Sequence, residues 1–128
     1  MNSNYKLVLA VVAGAAIGGA AVQGLHAQAK PKAYIVTETE VVDAAALAAY
    51  TPQAQAAIKA AGGRSLAPAT EKAVALAGEA PKRVGISEWE TMEKAQAWRN
   101  SEGWKALSPQ RDKALKTIRA FAVEGAAN

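Results

Sequence analysis

Residues 33–40, AYIVTETE, alternate in character. Tyr34, Val36, Glu38 and Glu40 fall on one face and Ile35, Thr37, Thr39 and Val41 on the other, the two-residue period of a strand. Asp43 then stands as an N-cap before an alanine-rich segment that reaches Ala61, in which Leu47, Tyr50, Ala54, Ala57, Ile58 and Ala61 keep helical spacing. Pro52 lacks an N–H and crowds the preceding turn, so this helix should kink or divide there, with Thr51 capping a second piece. Gly62 and Gly63 end it, one of them in a left-handed cap.

Arg64 to Ala67 is short and extended, Pro68 to Lys72 is turn-like, and Ala73 to Ala77 (AVALA) alternates again before Gly78, which predicts a hairpin or a bent second strand. Arg83 to Glu90 (RVGISEWE) is the third strand, with Val84, Ile86, Glu88 and Glu90 on one face and Arg83, Gly85, Ser87 and Trp89 on the other. Thr91 caps a helix to about Asn100 whose stripe is Met92, Ala95 and Trp98. Trp104 to Leu107 reads as one further helical turn ended before Pro109, and Thr117 to Glu124 as the last strand. The order βαββαβ matches a split β-α-β arrangement of ferredoxin-like type, an α+β antiparallel sheet with helices on one face only. The other face then needs a cover, and a second sheet of the same kind would provide one.

Composition strengthens that expectation. Hydrophobic residues make up 51% of the 128-residue chain, yet 33 of them are alanine, and residues 30–128 hold only 22 large apolar side chains. An alanine buries about one methyl, near 0.8 kcal/mol, against about 1.5–3 for a leucine or isoleucine. One small domain is the limit, and a homodimer is expected.

The start of the chain reads as an address. Residues 7–25, LVLAVVAGAAIGGAAVQGL, follow a short polar flank with Lys6 and precede Ala27-Gln28-Ala29, the pattern of a signal peptide cleaved after Ala29. Residues 1–29 are therefore read as a signal peptide, and residues 30–128 as a periplasmic or secreted domain. The alternative is an uncleaved anchor, because a largely apolar run of 19 residues approaches the ~20 that span a bilayer and Gly14 and Gly18 form a GxxxG pair. Only in that case would the protein meet a membrane.

Several chemistries are excluded by what is missing. There is no cysteine, and the single histidine, His26, lies in the leader. A thiol nucleophile, a Ser-His-Asp triad, a disulfide, a zinc site of sulfur and nitrogen ligands and a protein-ligated haem all fall away, and no cofactor or metal is expected. The net charge is +4, but the charges are scattered along the chain, without the contiguous basic footprint that nucleic acid binding needs.

Taken together, AYIVTETEV with Asp43, IKAAGGRSL, LAG followed by PKRV, ISEWETMEKAQAW, NSEGWKAL with Arg111 and the closing VEG resemble the domain of unknown function (DUF) 1330 family over about residues 33–125. The resemblance implies a dimeric α+β barrel, in a superfamily whose other branches include cofactor-independent monooxygenases, lactone isomerases and haem enzymes. It implies no activity for this branch. The chain departs from the family pattern at Ala67-Pro68-Ala69-Thr70 in place of a frequent Arg-Gly-Gly, at Leu76-Ala77-Gly78 in place of Leu-Glu-Gly, at Arg99 in place of an aromatic, and at Trp104 in place of a tyrosine.

The candidate ligand-binding residues are Arg111, Glu88, Trp104 and Glu38. Glu38 and Glu88 sit mid-strand, and two close carboxylates would raise one pKa and make a proton-transfer group at neutral pH; the plainer account pairs each with Arg64, Arg83, Arg111 or Arg119. Arg111 is suited to a bidentate grip on an anion, or to tying a loop. Trp89 and Trp98 read as core or dimer-interface packing and Trp104 as a pocket rim, while Asn100 and Ser101 read as capping or turn residues. The function expected is an exported homodimer that binds a small organic or anionic molecule between sheet and helices, with cofactor-independent proton transfer or oxidation as its possible chemistry. The rival is a non-catalytic structural envelope protein whose barrel interior is packed.

Overall fold

The computed structural model describes residues 30–127. The expected signal peptide, its cleavage site, the anchor alternative and His26 lie outside the described residues. Strands β1 (Ala33–Val41), β2 (Arg64–Thr70), β3 (Val84–Trp89) and β4 (Leu115–Glu124) form an antiparallel sheet in the order β2-β3-β1-β4. Helix α1 (Ala44–Ala60) crosses from β1 to β2, and α2 (Met92–Asn100), α3 (Glu102–Ala106) and α4 (Ser108–Ala114) cross from β3 to β4. With β1 between β3 and β4, this is the ferredoxin-like arrangement predicted from the element order.

Local chemistry sets the element ends. The Asp43 carboxylate accepts from the Ala46 N–H at 2.8 Å, Thr91 Oγ1 from the Lys94 N–H at 3.2 Å, and Ser101 Oγ from the Trp104 N–H at 3.2 Å, so α1, α2 and α3 each begin on a side-chain cap. Gly62 closes α1 with φ +90°, a left-handed conformation open to glycine. Gly63 is glycine for another reason: a Cβ there would stand 2.6 Å from the Trp89 ring and 2.9 Å from Ile58.

Three expectations are corrected. Helix α1 is not divided at Pro52: it runs unbroken from Ala44 to Ala60. Thr51 does not cap a second piece, because its Oγ1 donates to the Leu47 carbonyl at 2.9 Å, and Gln53 Nε2 donates to the Ala49 carbonyl at 3.2 Å, bonds that serve the carbonyls on either side of the one Pro52 leaves unpaired. The AVALA segment is no strand and makes no hairpin with β2, whose antiparallel partner is β3. Thr70 pairs with Val84, closing residues 71–83 into a loop outside the sheet, and Val74 and Leu76 are 83% and 99% exposed. Finally, the helical turn ends before Pro109 as expected, but a further helix, not among the predicted elements, follows at once. Proline is suited to a first helical turn, and Ser108–Ala114 form α4 with Pro109 in that turn.

The helices cover the sheet face that carries Ala33, Ile35, Ser87 and Trp89. Trp89, 1% exposed, stacks on Trp98 with ring centroids 5.8 Å apart, and Trp98 meets Trp104 edge to face at 5.8 Å. This aromatic column joins β3 to α2 and α3, and Tyr50, Leu107, Ala114 and Leu115 extend the core toward α1 and α4. In a chain so rich in alanine, three indoles supply much of the buried area.

Candidate functional site

Between the sheet and α1 lies a cavity of about 130 Å³, lined on one side by Ile35, Thr37 and Thr39 of β1 and on the other by Tyr50, Ala54 and Ile58 of α1. Residues from β2, from the start of β3 and from the α3–α4 segment complete its wall. The lining includes Arg83, Trp104 and Arg111, and no Asp or Glu.

Alternation in RVGISEWE puts Arg83 on the same face as Trp89, and the side chain is accordingly buried. Its Nη1 donates to Thr39 Oγ1 at 3.0 Å, and burial holds its pKa below the usual arginine value, opposed by the charge of Glu71. Arg111 projects from α4 back over α3. Its Nη2 donates to Ser108 Oγ at 2.8 Å, its Nη1 to the Trp104 carbonyl at 3.4 Å, and its guanidinium lies 4.1 Å from the Trp104 ring centroid. Arg99, standing where the family resemblance leads one to expect an aromatic, lies 4.1 Å from the same ring. Trp104 thus carries two guanidinium contacts of cation–π type. Burial, and then the charge of Arg111, push the Arg99 pKa down. Tyr50 completes the group: burial raises its hydroxyl pKa, against the pull of Arg111, Arg83 and Arg99, so the phenol is protonated at neutral pH.

Of the four residues singled out from the sequence, the structure brings Arg111 and Trp104 together at the cleft and leaves Glu38 and Glu88 elsewhere. Both glutamates lie on the other face of the sheet. Glu88 is opposite Tyr34 and Glu38 opposite Val84, four positions apart along β1, which is about 13 Å at ~3.3 Å per residue. They do not form the close carboxylate pair that proton transfer required. Arg119 holds Glu38 by two hydrogen bonds, at 2.6 and 2.9 Å, and lowers its pKa; Lys32 at 3.1 Å and Arg64 at 3.0 Å do the same for Glu88. Both carboxylates are ionised at neutral pH, so the plainer pairing account holds, with Arg119 and Arg64 among the partners it named. Sequence reasoning did not place Arg83, Tyr50 or Arg99 at the site. For Arg83 the signal was present, since it alternates with Trp89. Ser101 acts as a cap, and its Oγ also donates to the Trp98 carbonyl at 2.7 Å.

A ferredoxin-like α+β domain with a small arginine-bearing cleft between sheet and helices is the class that this geometry defines. The chain matches the profile "Domain of unknown function (DUF1330)" over residues 32–126, and it belongs to that family. Among solved structures it is similar to RPA0582, a protein of unknown function from Rhodopseudomonas palustris, at 14% identity and a TM-score of 0.59, covering 86% of this chain and 94% of that one. It is also similar to SnoaB, a cofactor-independent oxygenase from Streptomyces nogalater, at 11% identity and a TM-score of 0.53, covering 77% of this chain and 96% of that one. At these identities the likeness is one of fold. No curated protein matches the chain.

Proposed function

We propose that the domain binds a small organic molecule in the cleft between sheet and helices, with Trp104 and Arg111 in the binding wall. The observation that carries this reading is the cavity itself: about 130 Å³ of half-closed space between sheet and helix, bordered by two arginines and by no carboxylate. A domain whose only task was to pack its interior would gain by filling that space with methyl groups. The likeness to the oxygenase SnoaB supports the fold alone and assigns no residue of this chain a role. Within the lining the titratable groups are cations and a protonated phenol, so binding is supported here and a carboxylate base is not.

The protein works, in this proposal, as an exported homodimer. Phe121, Val123, Leu66 and Ile118 are exposed apolar side chains on β2 and β4, and Phe121 and Val123 stand opposite Val36 and Tyr34 on the sheet face that no helix covers. A second copy of that face supplies a matching cover. Export would remove residues 1–29, leaving Lys30 as the mature N-terminus, which intact-mass measurement on cell-envelope fractions checks.

The test of binding is mass spectrometry of small molecules that co-purify with the mature protein, run beside Ala54→Phe, which places a ring in the cavity. The expected result is a molecule carried by the natural protein and absent from the filled variant. Equal yields from both, with the variant folded, would overturn the proposal.

A further inference from the structure

The two ends of the cleft differ in chemistry. At one end stand the lining residues Arg83, Arg111 and Tyr50, with Arg83 Nη1 donating to Thr39 Oγ1 at 3.0 Å. At the other, Ala54, Ile58, Ile35 and Ala67 offer hydrocarbon, with Ser65 and Ser87 as the polar side chains beside them. The carboxylates that bear on these arginines stand outside the lining. Glu71, exposed in the loop after β2, acts on Arg83 through its charge, and Asp112, also exposed, approaches Arg111 Nε at 3.7 Å. Each arginine is therefore partly compensated from outside, while the space between them holds no negative side chain. Arg99 adds a third cation behind Trp104, whose ring it shares with the like charge of Arg111.

Such an end is suited to a single negative charge. A guanidinium offers a flat fork of donors to a flat oxyanion, and several of the N–H groups of Arg83 and Arg111 remain after their bonds to Thr39, Ser108 and the Trp104 carbonyl. The protonated Tyr50 hydroxyl provides a further donor. Size limits the rest of the molecule. The half-closed cavity is close to the ~150 Å³ that accepts a benzene ring, so the part of a ligand it covers is about one ring in size.

Resting on the reading of this cleft as a binding site, we infer that its ligand is a compact organic monocarboxylate, one ring or a short branched chain, with the carboxylate between Arg83, Arg111 and Tyr50 and the hydrocarbon against Ala54, Ile58 and Ala67.

The experiment is titration calorimetry on the mature protein with three probes: benzoate, its neutral counterpart benzamide, and inorganic phosphate. Benzoate should bind at least about tenfold more tightly than benzamide, and phosphate more weakly than benzoate. Arg111→Gln should weaken benzoate about tenfold or more and leave benzamide within about twofold. Arg83 is buried, and its replacement tests folding as much as binding, so Tyr50→Phe serves as the second variant, with a loss of several-fold expected for benzoate alone. Circular dichroism of each variant verifies its fold. Equal affinity for benzoate and benzamide would overturn the monocarboxylate assignment while leaving the cleft a binding site. Tighter binding of phosphate, or loss of benzamide together with benzoate in Arg111→Gln, would overturn it too. If none of the probes binds, the assignment falls, and the cleft reading is judged separately by whether Ala54→Phe loses the co-purifying molecule.

Discussion

The two faces of the sheet handle charge in opposite ways. On the face away from the helices, the strand carboxylates meet cations from neighbouring strands and from the segments that flank them. Glu38 meets Arg119, Glu40 meets Lys82 at 2.9 Å, and Glu88 meets Lys32 and Arg64. On the helix-covered face the charged side chain beside the cleft is the cation Arg83, joined there by Arg111 from α4, and the acids that balance them lie outside the cavity lining. Paired charges on a wet face contribute little and do no chemistry. Cations beside a half-closed cavity retain a field that a ligand can use. The contrast shows why finding glutamates mid-strand was a poor guide to the site: the face, and not the position along the strand, decides whether a carboxylate is poised or neutralised.

Breaking the covered face has the largest effect. Trp89→Ala removes the base of the tryptophan column and leaves a hole between β3 and α2, at a cost of about 3–5 kcal/mol. In a domain whose total stability is on the order of 5–15 kcal/mol, thermal unfolding should begin many degrees lower or the protein should fail to fold. A melting curve close to that of the natural protein would show that the column is not the centre of the core.

Charging the open face comes next. Phe121→Asp sets an acid opposite Val36, in the middle of the surface proposed to meet its twin. Leaving such a charge buried and unpaired costs about 3–5 kcal/mol, so dimer dissociation should strengthen more than about a hundredfold while the monomer keeps its helix content. Sedimentation equilibrium reads this directly. A natural protein that is already monomeric at micromolar concentration, or a variant dimer of unchanged affinity, would sink the proposed assembly.

How much of this was legible beforehand follows from the physics of each segment. Alternation and caps placed β1, β3 and the two principal helices, because Asp43 and Thr91 act on backbone within three residues of themselves. The AVALA segment failed because alanine fills three of its five positions and its two larger side chains are exposed, so alternation there carried no burial. Helix α4 was missed because Pro109 signals both an ending and a beginning, and the Arg111 contact with Trp104 depends on that helix turning back over α3. Alternation sorted each strand into two faces without saying which face lay inside. Trp89 could have decided it: the largest apolar residue of β3 marks the covered side, and Arg83 shares that side with it.

The smallest effect separates the two faces by pH. Glu38 and Glu88 have folded-state pKa values below the ordinary 4.5, through hydrogen bonds and charge from Arg119, Lys32 and Arg64. The unfolded chain therefore takes up protons before the folded one as pH falls, so what these pairs contribute is present above about 4.5 and is lost as pH drops through the folded values. The urea midpoint should be level with respect to these groups from about pH 8 to about pH 5 and decline below that, and the double variant Glu38→Gln, Glu88→Gln should show a shallower acid decline with a neutral-pH midpoint close to the original. A midpoint that instead rises on acidification between about pH 7 and 5, and loses that rise in the double variant, would mean that one of these acids holds a raised pKa. The open face would then carry the proton-transfer group, and the contrast between the faces would reverse.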